Sequence, residues 1–180
     1  KSYSEDPSES YHIHILLISE LIDQLTNNYD SFVILIPHCI GPIKEIDDRS
    51  VHNDIYSLLK NKDSVLVLTE EYDSLDLKKL ISNLDLLIGE RIHSVINALT
   101  VSTPSIAISW SQDQRLNIVK PLIKDYIFHS DSLESEIVLE KIDYIFKNQD
   151  EVSNQIKIQV ENLNNKTELY GKLLKKLVKS

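Results

Sequence analysis

The stretch LDLLIGERIHSVINALTVSTPSIAIS, residues 84–109, contains the pattern that decides the fold of this chain. It opens with a short apolar run at 84–89, continues with apolar residues at helical spacing over 91–100, and is followed by a second apolar run at 104–110. Apolar strands joined by a helix are typical of parallel sheets that are covered on both faces. The stretch therefore predicts a strand, a helix and a second, parallel strand.

The rest of the chain alternates in the same way. Apolar runs predict three further strands, at residues 32–37, 64–69 and 125–130. Helical spacing predicts helices at residues 11–25, 49–60, 73–83, 113–124, 133–148 and 150–178. We expect Asp47 or Asp48 to cap the second helix, and Pro121 to distort or end the fourth.

This order of elements indicates an α/β fold with a doubly wound parallel sheet and right-handed crossovers. We assign residues 1–148 to this Rossmann-like domain and residues 149–180 to a long C-terminal helix. That helix carries a heptad seam, in which the spacing alternates between four and three residues: Ile156, Val160, Leu163, Thr167, Tyr170, Leu174 and Leu177. The seam fits packing along a partner helix or a second copy, and it equally fits packing on its own domain.

Composition narrows the class of protein. A chain of 180 residues that is 42% hydrophobic and 26% charged can build one soluble domain with a full core. The net charge of −9 argues against nucleic acid as a partner, because proteins that bind the phosphate backbone present a basic surface. Cys39 has no second cysteine with which to pair, so we expect a reducing cytoplasm. The chain begins with lysine and contains no methionine, and we expect it to be part of a longer protein.

Polar residues follow four of the predicted strands, where ligands of doubly wound folds bind. They are His38, the segment 69–71, the pair Arg91 and His93, and the segment 109–111. No metal-binding spacing and no glycine-rich phosphate loop occurs in the sequence, so we predict neither a metal nor a bound cofactor. The simplest interpretation of His38 is that it follows the end of a strand and precedes a Gly-Pro turn. The simplest interpretation of residues 47–49 is that they begin a helix.

Arg91 and His93 are the strongest of these candidates. They can meet one ligand if Arg91 lies in the turn and His93 in the first helical turn, and we expect Gly89 to allow that turn through its backbone freedom. The N–H groups of the first turn, an arginine fork and a histidine would together suit a phosphate or carboxylate. The alternative, a positively charged turn without a ligand, stays open on spacing alone.

The same residues resemble the signature of the polysaccharide pyruvyl transferase family. In that family a strand runs into G-x-R-[LI]-H-[AS], followed by a helix, a proline and a strand, and residues 84–109 are similar to it throughout. The segment IPHCIGP at 36–42 and the DDR at 47–49 resemble two further landmarks of the family, in the same order. Where the family has a glycine before that proline, this chain has Val101, Ser102 and Thr103.

The resemblance implies a two-domain enzyme of the glycosyltransferase-B type, with its active site between two Rossmann-like domains. This chain would be the C-terminal domain, with the N-terminal domain of the same enzyme as its partner, and inactive alone. The implied reaction transfers pyruvate from phosphoenolpyruvate to two hydroxyls of a sugar or glycan acceptor, as a ketal, in exopolysaccharide or cell-wall biosynthesis. The implied catalytic residues are Arg91 and His93. The implied substrate-binding residues are His38, Gly89, Ser94, Asn97, Ser109, Trp110 and Arg115.

Two other functions stay open. The same architecture would suit a glycosyltransferase that uses a nucleotide sugar, or a domain without catalysis that acts in assembly through its C-terminal helix. For the pyruvyl transferase we expect a location in the cytoplasm, or peripherally on the inner face of the membrane.

Overall fold

The computed structural model describes residues 6–109 and 114–178, so Trp110 lies outside the described residues. The chain divides into two compact units, Lys1–Asp73 with His129–Ile137, and Ser74–Phe128 with Val138–Ser180. In the part of the chain that is described, no helix is long and apolar enough to cross a membrane.

The first unit contains two helices and a two-stranded parallel sheet. Its elements are α1 (Pro7–Asn28), β1 (Val33–Leu35), α2 (Asp48–Leu58) and β2 (Val65–Val67). A short 3-10 helix, Lys44–Ile46, precedes α2. The strands pair with Val33 opposite Val65 and Leu35 opposite Val67. Apolar residues of both helices and both strands share one core: Ile15, Ile22, Ile55, Leu59 and Val65 with Val33 and Leu35.

The second unit is built around a three-stranded sheet in the order β3-β4-β5. The elements from residue 74 onward are α3 (Ser74–Ile81), β3 (Leu87–Gly89), α4 (Ile92–Thr100), β4 (Ser105–Ser109), α5 (Lys120–Ile123), β5 (Ile127–His129), α6 (Ser135–Lys147) and α7 (Gln149–Val178). The end of β5 and the start of α6 belong to the first unit. Strands β3 and β4 are parallel, with Gly89 opposite Ala107. The fully buried residues Val95, Ala98 and Ala107 lie in the core that α4 and β4 share.

The structure confirms the predicted α/β class, the parallel strand pairs and the long C-terminal helix. The strands form two sheets, of two and three strands, where one sheet was expected. The predicted boundary at residue 148 falls between α6 and α7, and the domain division, like the glycosyltransferase-B architecture, stays a prediction.

The helix predicted at 113–124 is wrong as a single element. Residues Gln114–Ile118 form a 3-10 helix, and Pro121 lies in the first turn of α5 instead of ending a helix. Proline lacks an N–H and has a fixed φ, so it fits the first turn, where an N–H would have no carbonyl partner in the helix.

Helix α7 packs on its own unit along its first half. Val152 and Ile156 are buried and Val160 packs beside them, as part of the core that includes α4. Every residue from 161 to 170 is exposed. The predicted heptad seam therefore packs on its own unit up to Val160 and is exposed at Leu163, Thr167 and Tyr170.

Candidate active site at the start of helix α4

A short turn joins β3 to α4 and places Arg91 and His93 at the start of the helix. Arg91 is the N-cap of α4, with the extended backbone angles φ −87 and ψ 126, and His93 is the second residue of the helix. Both side chains are exposed. This is the arrangement that a shared ligand requires, with the arginine outside the helix and the histidine in its first turn.

Gly89 is needed in this turn for space. Among the described residues no glycine has a positive φ, so the expectation that Gly89 supplies unusual backbone angles is wrong. A Cβ at Gly89 would lie 2.5 Å from Oγ of Ser94 and 2.9 Å from Cγ2 of Val95. Because Ser94 and Val95 are buried, they have little room to move aside. The glycine therefore lets α4 begin directly against the end of β3.

The buried residue Ser94 stabilises the turn through hydrogen bonds to its backbone. Its hydroxyl donates a hydrogen bond of 2.6 Å to the carbonyl oxygen of Arg91, and its N–H donates to the same oxygen at 2.9 Å. The side chain is only 4% exposed. A substrate contact of Ser94 stays a prediction, and its observed hydrogen bonds fix the backbone from which the Arg91 side chain extends.

Several groups at the start of α4 can receive an anion, although Glu90, directly before Arg91, places one negative charge in the same turn. No acidic residue lies in the first turn of α4. The first N–H groups of a helix have no carbonyl partner within it and carry the positive end of its dipole. An arginine and a histidine at that end add charge-assisted donors. The described residues contain no cluster of three or more histidine, cysteine or acidic side chains that could hold a metal ion.

The end of β4 lies at the same edge of the sheet as this turn. Because Gly89 is opposite Ala107 in parallel strands, Ser109 ends β4 on the side where Arg91 follows β3. Ser109 is buried. Asn97 is half-buried one helical turn after His93, and Arg115 is exposed on the 3-10 helix that follows β4. Substrate contacts by Gly89, Asn97, Ser109 and Arg115 stay predictions.

His38 lies in the first unit, in the loop between β1 and α2. Its N–H and that of Cys39 both donate to Oδ2 of Asp48, at 3.0 and 2.8 Å, and the N–H of Asp48 donates to the carbonyl oxygen of Cys39. Nδ1 of His38 lies 3.2 Å from the carbonyl oxygen of Ile36. That oxygen can only accept, so Nδ1 carries the hydrogen in this contact and the neutral ring has its lone pair on Nε2. A role for His38 in binding substrate stays a prediction.

Arg49 connects the start of α2 to the end of β2, a role that the sequence analysis missed. Asp47 is the N-cap of α2, as expected, and accepts from the N–H of Arg49 at 3.0 Å. The guanidinium donates to both carboxylate oxygens of Asp47, with Nη2 at 2.6 Å from Oδ2, and Nη1 donates to the carbonyl oxygen of Thr69 at 3.2 Å. These side-chain hydrogen bonds from Arg49 lower the pKa of Asp47. The sequence contained one indication of this contact, which is that the acidic residue Asp47 stands two positions before Arg49.

Comparison with known proteins identifies the family. The chain matches the family described as "Polysaccharide pyruvyl transferase" over residues 2–112. The amylovoran biosynthesis protein AmsJ of Erwinia amylovora is 29% identical over 116 residues, which are 64% of this chain and 28% of AmsJ. The matched part is thus less than a third of that relative's length. No solved structure is significantly similar to the chain. Because the family match covers more than half of the sequence and includes the turn with Arg91 and His93, this chain belongs to the polysaccharide pyruvyl transferase family.

Proposed function

We propose that this chain takes part in the transfer of pyruvate, as a ketal, from phosphoenolpyruvate to a sugar of a polysaccharide. Its family membership supports the reaction class, and the name of AmsJ, a protein of amylovoran biosynthesis, supports a polysaccharide acceptor. The single observation that carries the assignment to residues is the placement of Arg91 and His93 around the N-terminus of α4.

Arg91 binds the phosphate or the carboxylate of the donor. Its guanidinium can give two parallel hydrogen bonds to either group, and the first N–H groups of α4 can add more. The hydrogen bonds of Ser94 to the carbonyl oxygen of Arg91 hold the backbone at this point. Gly89, Asn97, Ser109 and Arg115 are further donor-binding residues in this proposal, and Trp110, which completes the set, lies outside the described residues.

His93 protonates the methylene carbon of phosphoenolpyruvate, which becomes the methyl group of the product. Protonation makes C2 electrophilic, and the oxygen of the first sugar hydroxyl bonds to it as that hydroxyl loses its proton. The second hydroxyl then displaces the phosphate from C2, and its proton leaves with the phosphate. The π bond between C2 and the methylene carbon, two O–H bonds and the bond from C2 to the phosphate oxygen break, while one C–H bond, two C–O bonds and one O–H bond on the phosphate form. The proton of the first hydroxyl replaces the one that His93 gave to the methylene carbon. Developing negative charge on the departing phosphate is stabilised by Arg91.

The remaining parts of the enzyme are proposals of the same kind. The chain acts as the C-terminal domain of a glycosyltransferase-B-type enzyme in the cytoplasm, and an N-terminal domain supplies most of the acceptor pocket. His38, in the loop between β1 and α2, is a further substrate-binding residue in this proposal. The chain alone is therefore inactive.

Calorimetric titration with phosphoenolpyruvate tests the proposal, in this chain and in the longer enzyme. We expect the longer enzyme to bind, and Arg91→Ala and His93→Ala to bind much more weakly. Lys166→Ala and His12→Ala, which remove exposed groups elsewhere, are the matched controls and should bind normally. With an acceptor present, carbon and phosphorus NMR should show a ketal carbon and free phosphate. Affinity for a uridine diphosphate sugar without affinity for phosphoenolpyruvate would instead establish the glycosyltransferase alternative.

A further inference from the structure

One side of helix α7 carries mainly uncharged polar and apolar residues. With about 100° per residue, six residues fall within about 100° of arc around the helix axis, and we call them the amide face. They are Gln155, Gln159, Asn162, Leu163, Lys166 and Tyr170. Leu163 is 42% exposed and Tyr170 is 65% exposed, and only Gln159 is half-buried among the six. At 1.5 Å per residue the amide face is about 22 Å long.

The acidic residues of this stretch lie away from the amide face. Between residues 155 and 170 the acids are Glu161 and Glu168, and both are about 150° or more around the helix from the centre of the face. Glu151, one turn before the face, accepts a hydrogen bond of 3.0 Å from Nε2 of Gln155. A carboxylate therefore borders the face at its first end, and the rest of it carries no negative charge.

A small cavity in the same unit adjoins the amide face. Gln155 and Gln159 line it together with Ser105, Tyr126 and several apolar residues. Its volume of about 20 Å³ is enough for a group of the size of one hydroxyl. Oε1 of Gln159 is buried and accepts no hydrogen bond from the residues that the structure describes. Because an unpaired buried acceptor costs free energy, a ligand that brings a hydroxyl donor to this cavity gains affinity.

We propose that the amide face of α7 binds a glycan chain and that a sugar hydroxyl donates to Oε1 of Gln159. Carboxamides both donate and accept hydrogen bonds, which matches hydroxyl groups that do the same. The exposed Leu163 and Tyr170 offer apolar surface to the C–H groups of sugar rings. A length of about 22 Å accommodates several rings in a row. The choice of a glycan rests on the proposed function, whose acceptor is a polysaccharide.

A second copy of the chain fits this side of α7 less well. Two helices would pair through Leu163, Thr167 and Tyr170, and this seam contains one polar residue in three. Lys166 lies beside the seam, whereas Glu161 and Glu168 lie on the far side of the helix and cannot reach a lysine across the contact. Burial of the neighbouring amides would cost free energy unless each found a partner.

Electrophoresis in native gels that contain a polysaccharide tests the proposal. We expect gels with amylovoran, galactan, dextran or mannan to retard the chain in at least one case, and gels with polyethylene glycol, which has no sugar rings, not to retard it. Gln155→Ala, Asn162→Ala and Tyr170→Ala together should weaken binding about tenfold or more, because two hydrogen-bonding groups and an apolar contact are lost. All three side chains are exposed and alanine favours helix, so the fold is retained.

The matched control removes two amides from the other side of α7 and a tyrosine elsewhere. Asn154→Ala, Asn164→Ala and Tyr72→Ala are also exposed and should bind with unchanged affinity. An equal loss in this control, equal retardation by polyethylene glycol, or no retardation in any gel would overturn the proposal. Light scattering that shows a dimer, which the first variant dissociates, without retardation would assign the face to a second copy. The gels contain no phosphoenolpyruvate, so failure of the proposed transfer reaction is measured separately, by the titration with that donor.

Discussion

The turn between β3 and α4 and the loop between β1 and α2 both lead from a parallel strand into a helix, but they use charged residues differently. In the β1–α2 loop the charges hold the loop itself, since Arg49 binds Asp47 and Thr69, and Asp48 binds the backbone of His38 and Cys39. The β3–α4 turn is held by a hydroxyl and by the close contact of a glycine, and its arginine and histidine are exposed. The two connections thus differ in the hydrogen bonds and contacts that shape their backbone.

The largest expected effect is a difference between Arg91 and Arg49 in their contribution to binding phosphoenolpyruvate. Arg91→Ala should lower the affinity of the longer enzyme for phosphoenolpyruvate roughly 10- to 150-fold, because hydrogen bonds to charged groups contribute about 1.5–3 kcal/mol. Arg49→Ala should lower the free energy of unfolding and leave that affinity unchanged. Calorimetry and urea unfolding of both variants measure the two quantities. If Arg49→Ala also abolished binding, the purely structural role of Arg49 would be wrong.

The next largest effect is a difference between Gly89 and Gly41 in how much stability an added Cβ costs. Gly89→Ala should cost about 1–3 kcal/mol of unfolding free energy, because its Cβ would contact the buried side chains of Ser94 and Val95. Gly41→Ala is the control in the other loop, where the Cβ would contact the side chain of Ile46. Ile46 is exposed and can rotate away, so the loss should be smaller. Urea unfolding of the two variants gives the comparison, and equal losses would contradict it.

Removing the carboxylate of Asp48 should lower the free energy of unfolding by an amount similar to that expected for Gly89→Ala. Asp48→Ala leaves the N–H groups of His38 and Cys39 without their acceptor, and should lower the free energy of unfolding by about 1–2 kcal/mol. Asp48→Asn keeps one acceptor oxygen and should lose less. Asp63→Ala, an exposed acid beyond the end of α2, is the control and should change little. A loss in Asp63→Ala as large as that in Asp48→Ala would show that the effect comes from net charge.

Replacing the residues with positive φ should stabilise one unit more than the other. Ser102, in the turn before β4, has φ 64, and Asp30, before β1, has φ 50. Ser102→Gly should raise the unfolding free energy by about 0.5–1 kcal/mol, since glycine adopts this conformation without steric cost. Asp30→Gly should gain less, because aspartate tolerates the left-handed region better than serine. Thermal unfolding of both variants measures the difference, and a larger gain at Asp30 would contradict it.

The smallest effect is the acid dependence of the β1–α2 loop. Arg49 lowers the pKa of Asp47, so the folded state holds this proton less tightly than the unfolded state does. The stabilisation is therefore complete above the ordinary aspartate pKa of about 4 and is lost as the pH falls through the lowered value. Comparing urea unfolding of the parent and Asp47→Asn at pH 6 and about pH 3 should show the difference between them shrinking. A constant difference would mean that Asp47 acts through packing alone.

The sequence correctly predicted the helix and strands around the candidate site. It did not predict which contacts hold them together. Periodicity placed β3, α4 and β4, because these elements depend on neighbours within a few residues. It included Arg91 in the helix, whereas the structure has Arg91 as the N-cap, which meets the condition for a shared ligand with His93. It assigned the wrong cause to Gly89, because the limiting contact is with Ser94 and Val95 and depends on how the helix packs. The hydrogen bonds of Asp48 and the contact of Arg49 with Thr69 join residues that are nine to twenty positions apart, and periodicity contains no signal for them.

The change in burial along α7 has a consequence for exchange of its amide hydrogens with solvent. Up to Val160 the helix is packed on its unit, so opening a backbone hydrogen bond there requires the loss of core contacts. From residue 161 to residue 170 every side chain is exposed, and the helix depends on its own propensity in a stretch that contains three asparagines and a threonine. Deuterium uptake should therefore be slow up to Val160 and rapid from residue 161 to residue 170.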